Sequence, residues 1–567
     1  MIDPITAATV GSALVATTSE MSESLRRSSY SPIIREMLDY SCGVFTPRGE
    51  MAAQSETIPA LLGAMAFALQ ALIEDHPRQT LAPGDIFIAN DPYRGGTHTP
   101  DIHLFAPVFH EDRLVAWTGT LAHHVDIGGT NPGTEGYANR SIFEEGLRFP
   151  PLRLYEAGRP VVPLLRYIEA NVREPRATLG DLRAQTAAVK LGGTRIIGLI
   201  GRYGLDTVDG VMQEVIAQTE RRLRHAIRQR PDGSSTAVGY LDNDGVGSDD
   251  IRIEVTVRVR GDEVEVDFDG TAPQMAGGMN APRSAVMAAV LFAVKAIFDP
   301  EAPPNSGTAR AIRVSLPRGS LVDPVYPAAV SLRHLTSQRI TDTIVRAFQQ
   351  LYPESGVAGA FVGFSSLAAE GRHPRTGDAT VIQDDLGGGM GGTASGDGLD
   401  GVDTYLGNVG ILPAEVCEMQ YPVRIARTEL ETDSAGHGRF RGGQGIVREY
   451  VFTDDCDLVA YTEQSSPAHA AWGSEGGSAG RPALVTLERA DGISEVITKR
   501  RIHVGRGDRL VVRTGGGGGF GPPSERDPSL VARDIREGRL SEDVAGTAYD
   551  SPGLAVPGAE AKGSSDA

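Results

Sequence analysis

Cysteine is scarce in this 567-residue chain, limited to Cys42, Cys417 and Cys456. The odd number and wide spacing exclude a disulfide framework and a Cys-x-x-Cys metal site, and they point to a reducing compartment. Long apolar runs are also missing. The most apolar stretch, residues 285–298, is short and contains Lys295, so it reads as a buried core helix and not as a membrane span. The N-terminus carries no basic segment, and the Ala/Val/Thr stretch after it is too polar for the core of a secretion signal. A cytoplasmic protein is expected.

Runs of positive charge are absent as well. The net charge is -19 and the pI is near 5.1. An acidic surface repels phosphate backbones and anionic lipid headgroups, so neither nucleic acid nor membrane is an expected partner. Two glycine-rich stretches, 387–392 and 515–519, could suggest a nucleotide loop. Neither is followed by Lys-Ser or Lys-Thr, and no Gly-x-Gly-x-x-Gly opens a clear helix. Turns and close backbone packing are the expected use of these glycines. No His-Glu-x-x-His occurs either.

What remains is an ordinary globular composition, with 40% hydrophobic and 22% charged residues. The length exceeds one core, so two to four domains are expected. The fold class read from the patterns is α+β (mixed α/β) and multidomain. An α/β domain is expected over 1–230 and a hairpin with buried helices over 231–386. A Gly-rich, mostly β region should cover 387–523, and a short helix with a disordered Pro/Gly/Ser-rich end should cover 524–567. Helices are expected over 5–27, 59–74, 340–351 and, capped by Asp206, to about 230. Strands are expected over 85–89, 102–109 and 114–121, followed by a hairpin whose turn is Gly261-Asp262.

Chemistry concentrates in one place. Five of the twelve histidines fall between His98 and His124. Thr97-His98-Thr99-Pro100-Asp101-Ile102-His103 and His123-His124-Val125-Asp126 lie on strands expected to be antiparallel neighbours, which brings the two clusters within side-chain reach. Imidazole and carboxylate donors suit Mn, Fe or Zn. Clustered His and Asp also serve as turn and cap residues, and composition alone leaves both readings open.

Several segments, in order, resemble the hydantoinase B / 5-oxoprolinase B family. They are Glu36-Met37-Leu38-Asp39-Tyr40-Ser41-Cys42, Gly84-Asp85 with Asn90-Asp91-Pro92-Tyr93, and Gly95-Gly96-Thr97-His98-Thr99-Pro100-Asp101. Glu144-Glu145-Gly146 with Pro150-Pro151, Asp267-Phe268-Asp269-Gly270-Thr271 and Asn280-Ala281-Pro282 follow. Arg441-Gly442-Gly443-Gln444-Gly445 and 515–522 complete the series. The resemblance spans nearly the whole chain.

This resemblance implies the metal-binding subunit of an ATP-dependent cyclic amide hydrolase that opens hydantoin, oxoproline or lactam rings. A hydantoinase A-like ATPase partner would phosphorylate the substrate, so ATP is used by the partner and the assembly is a hetero-oligomer. A ketone carboxylase of the acetone/acetophenone type is the near alternative, and a scaffold with a structural metal is the distant one. The implied metal ligands are Asp39, His98, Asp101 and His123. Asp39 could instead be a turn carboxylate. His124 could replace His123, but strand alternation allows only one of these neighbours to bind. His124, Asp126 and Glu145 are acid/base or ligand-supporting candidates, each with a plain structural role as its alternative. Two departures touch the expected pocket. Ala60-Leu61-Leu62-Gly63 stands where the family pattern has His-Leu-Gly, and Ser331-Leu332-Arg333-His334 where many members have Gly-Gly-Asn.

Overall fold

The computed structural model describes residues 3–55, 57–61 and 63–549. Leu62 and the Pro/Gly/Ser-rich end lie outside the described residues. The fold is mixed α/β, with four multi-stranded sheets and eleven α-helices among the described residues. None of these helices is long and apolar enough to cross a membrane.

The first sheet has seven strands: β1 (Tyr40–Phe45), β2 (Met51–Gln54), β3 (Ile86–Ala89), β4 (Asp101–His110), β5 (Arg113–His123), β6 (Leu152–Glu156) and β7 (Arg159–Pro160). Their order is β2-β1-β5-β4-β3-β6-β7, and every adjacent pair is antiparallel. Both faces are buried. Phe45, Phe105, Trp117 and Leu121 pack under the helix Ala64–Asp75. On the other face, Cys42, Val44, Ala116 and Ala122 join the helices Pro4–Ser28 and Pro175–Tyr203. Strand alternation sorts successive residues of β5 between these two layers.

The remaining chain forms three sheets. Gly233–Asn243, Asp249–Arg260, Glu263–Asp267 and Ile312–Ser315 make one, covered by the helices Arg283–Phe298 and Arg333–Leu351. The two C-terminal sheets are built from nine strands between Ser365 and Arg513. Buried residues from Val10 to Val512 belong to one cluster, so the N-terminal sheet and the Gly-rich region share a core.

Several local expectations are corrected. The 29-residue helix Pro175–Tyr203 is not legible in the pattern, because its four glycines after Val189 weaken the helical signal. Gly204, not Asp206, is the N-cap of the next helix, Leu205–Arg228; Asp206 instead complements the helix dipole from the first turn. The helix expected over 340–351 begins seven residues earlier, at Arg333.

The five-glycine run is buried. Gly515 O accepts from Gly389 N at 3.0 Å, and Gly517 N donates to Gly443 O at 3.0 Å. A Cβ on Gly516, Gly517 or Gly518 would strike the carbonyl oxygens of Ser434, Met390 and Trp472 respectively. Only glycine lets these backbones approach so closely.

Candidate metal centre

Asp101 and His123 are register partners on β4 and β5. That pairing places both side chains on one sheet face, with Asp101 Oδ1 3.1 Å from His123 Nδ1. His98 comes from the turn just before β4. Its Nε2 lies 3.0 Å from Asp101 Oδ1 and 3.3 Å from His123 Nδ1. These two imidazoles and one carboxylate offer donor atoms that all fall within 4.8 Å of one another, and all three residues are buried.

Asp39 arrives from the chain just before β1. Leu38 bends that approach in the left-handed region, at φ 65°, an uncommon conformation for a bulky residue. His123 N donates to Asp39 O at 3.0 Å, which ties the segment to the end of β5. The Asp39 carboxylate stands at the edge of the cluster, 3.8 Å from His123 Nδ1.

The neighbours set the donor orientation and charge. His98 Nδ1 is 3.1 Å from Ser331 O, its natural acceptor, which leaves the Nε2 lone pair facing the cluster. Asp101 Oδ2 receives Arg333 Nη2 at 2.8 Å and also the Thr97 hydroxyl. Burial alone would raise the Asp101 pKa, but His98 and Arg333 outweigh it and hold the carboxyl well below its usual range. Burial and then the Arg333 charge push His98 down to about 4. Burial also opposes charge on His123, yet its hydrogen bond to Asp101 and the Asp39 charge lift it to about 9. Burial raises Asp39 to about 6, with His123 pulling the other way. At neutral pH Asp101 is therefore ionised and His98 neutral, the states in which each can donate to a cation.

The other expected residues lie elsewhere. His124 points to the opposite sheet face, where Nε2 meets Gln185 Oε1 at 3.0 Å. Asp126 pairs with Arg173 at 2.9 Å. Glu145 sits behind the site, and its Oε1 accepts from Val330 N at 2.6 Å and Ser331 N at 2.8 Å. Glu145 thus holds the carbonyl that orients His98. His103, two residues along β4, stacks on Phe105.

A cavity of about 60 Å³ opens beside the cluster, room for a few waters. Asp39, His98, His123 and Arg333 line it, together with Glu135, His334, Gln383, Asp385 and Tyr461. Ile58, Leu61, Phe364, Leu406 and Val409 supply apolar walls. Sequence reasoning missed Arg333 as a partner of Asp101, and also Glu135 and Tyr461. Arg333 and His334 did stand out as a departure from the family pattern. Glu135 and Tyr461 carry no local signal, because they sit on a loop and a strand far apart in sequence.

The sequence profile of the hydantoinase B/oxoprolinase family matches residues 3–523. The chain is 33% identical over 570 residues to a protein named as one subunit of a D-/L-hydantoinase in Pseudomonas sp. (strain NS671), covering 97% of this chain and 95% of the relative. It is 30% identical over 531 residues to 5-oxoprolinase 1 of Arabidopsis thaliana, covering 88% of this chain and 40% of that longer protein. The crystal structure of the ATP-dependent caprolactamase from Pseudomonas jessenii superimposes with a TM-score of 0.91 at 30% identity, over 97% of this chain and 96% of that one. The chain belongs to the hydantoinase B/oxoprolinase family.

Proposed function

We propose that this chain is the metal-holding, ring-opening subunit of an ATP-dependent cyclic amide hydrolase. A separate hydantoinase A-like ATPase subunit would phosphorylate the substrate. The observation that carries this reading is the convergence of His98, Asp101 and His123 beside a cavity with apolar walls, which His98 and His123 line. Similarity to an ATP-dependent caprolactamase over nearly the full length supports it.

The donor set fits a divalent transition ion. Two imidazoles and a carboxylate, with Asp39 at the edge as a fourth ligand, match the preferences of Mn, Fe or Zn. Such an ion would supply Lewis acidity, lowering the pKa of a bound water or polarising a carbonyl oxygen. The chain's own residues do the rest. Ser331 O fixes the His98 tautomer, and Arg333 balances the charge of Asp101. The walls around Ile58, Leu61, Phe364 and Leu406 suit the methylene edge of a lactam ring and keep bulk water out. Gln383 Oε1 is buried with no hydrogen-bond partner among the described residues, so it can accept the N–H of a cyclic amide.

The test is to purify the two-subunit complex and supply ATP with a panel of lactams, hydantoins and ketones. Ring opening without bicarbonate is expected, and a bicarbonate requirement would favour a carboxylase. Asp101→Asn should abolish turnover while the complex still assembles. Loss of assembly instead would favour a scaffold role.

A further inference from the structure

The cavity holds a second group of titratable side chains that the metal cluster does not use. Glu135 comes from the loop after β5, Tyr461 from the strand Cys456–Thr462, and His334 from the first turn of the helix Arg333–Leu351. They form a chain of hydrogen bonds. Tyr461 Oη lies 3.2 Å from Glu135 Oε2 and 3.0 Å from His334 Nε2. The His334 ring is 6.5 Å from the His98 ring, centroid to centroid. Glu135 is 2% exposed, and its other oxygen accepts only a long 3.4 Å bond from Gln383 Nε2.

No ion pair among the described residues reaches Glu135. A buried carboxyl without a cation is costly to keep for structure alone, and such groups concentrate at functional sites. Its environment favours the neutral acid. Burial and then the Asp385 charge lift it to about 8, against the pull of His123, Tyr461 and Arg333. Tyr461 can serve either protonation state. With Glu135 ionised, its hydroxyl donates to Oε2 and accepts from His334 Nε2–H. With Glu135 protonated, the hydroxyl accepts from Glu135 and donates to the imidazole lone pair. His334 remains neutral throughout, because burial and the neighbouring Arg333 hold its pKa well below the usual histidine range.

We propose that Glu135 is the general acid–base residue of the ring-opening step, held in register by Tyr461 and His334. This rests on the ring-opening reading above. In the step, a water oxygen bonds to the ring carbon that carries the phosphoryl oxygen, one water proton passes to the ionised Glu135 carboxylate, and the C–N π pair moves to nitrogen. The ring C–N bond then breaks with its electron pair on nitrogen. Glu135 returns its proton and the new hydroxyl gives up the other, so both water protons end on the amine and the carbon is left as an acyl phosphate. A second water displaces that phosphate, leaving a carboxylate and inorganic phosphate, so two waters are consumed and Glu135 ends as it began.

The experiment uses the full chain with its ATPase partner and reads ADP and ring-opened product separately. Glu135→Gln should keep its metal content and ADP formation while ring-opened product falls about 100- to 10,000-fold. Tyr461→Phe should shift the pH profile of kcat, which a purely structural hydroxyl would not do. Infrared difference spectra of wild type against Glu135→Gln at pH 7 should show a protonated-carboxyl band, displaced in Tyr461→Phe. Product formation by Glu135→Gln within threefold of wild type overturns the proposal, as does a kcat pH profile left unmoved by Tyr461→Phe. So does a full loss confined to Asp385→Asn. A wild-type complex that forms ADP but opens no ring overturns the ring-opening reading instead, and the infrared band then decides the state of Glu135 by itself.

Discussion

His123 and His124 are adjacent in sequence yet face opposite layers: His123 Nδ1 lies 3.1 Å from Asp101, and His124 Nε2 lies 3.0 Å from Gln185. The two substitutions should therefore separate. His123→Ala should strip the metal and abolish turnover, because it removes one of three clustered donors. His124→Ala should retain the metal but lose about 1–3 kcal/mol of stability, since Gln185 loses a buried partner. Metal analysis and thermal denaturation of both variants check this. Equal metal loss in the two would contradict this opposite facing.

Glu145 should behave as a neutral acid at pH 7. Burial raises it to about 8, although Val330 N and Ser331 N pull the other way. Its folded pKa lies above the ordinary value of 4.5, so its contribution to stability is complete below pH 4.5 and is lost as pH rises through 8. Glu145→Gln keeps an acceptor for both amides and removes the titration. The stability of wild type minus that of Glu145→Gln should fall by a few kcal/mol between about pH 5 and 9, since a pKa raised by one costs about 1.4 kcal/mol once the group must ionise. A flat difference in urea melts across that range would show that Glu145 is ionised in the fold.

Two glycine substitutions should have opposite signs. Gly517→Ala puts a methyl against Met390 O in the buried glycine layer, and it should cost several kcal/mol or prevent folding. Gly198→Ala meets nothing within 4 Å on the helix Pro175–Tyr203, and it should stabilise by about 0.5–1 kcal/mol. Melting temperatures of the two variants decide the matter.

The C-terminal helices are held by charge. Arg526 has no exposed side-chain surface and pairs with Asp397 at 2.7 Å and Asp534 at 2.6 Å. Arg526→Ala removes the shortest cationic contact of both carboxylates, leaving Asp534 with Arg441 at 3.4 Å and Asp397 with Arg533 at 3.6 Å, and should cost about 3 kcal/mol. Protease sensitivity of the segment after residue 523 should rise in parallel. An unchanged melting curve would show the clasp to be dispensable.

The sequence alone determined the parts of this protein that depend on near neighbours. Short apolar runs at 102–109 and 114–121 joined by a polar turn located β4 and β5, and pairing those strands brought the two His/Asp clusters within reach; the choice of His98, Asp101 and His123 among them came from the family resemblance. Periodicity located the helix Pro4–Ser28, and glycine content foretold close backbone packing. The mixed α/β class and the family followed from ordered motifs along the chain. Tertiary structure decided what depends on distant segments. Only the fold shows that a helix beginning at Arg333 sends a guanidinium to Asp101, that Glu145 steadies the Ser331 carbonyl behind His98, and that Glu135 meets Tyr461 across 326 residues. Those contacts are set by how whole layers pack. Short-range patterns record which face of an element is buried, and they carry no information about which distant element buries it.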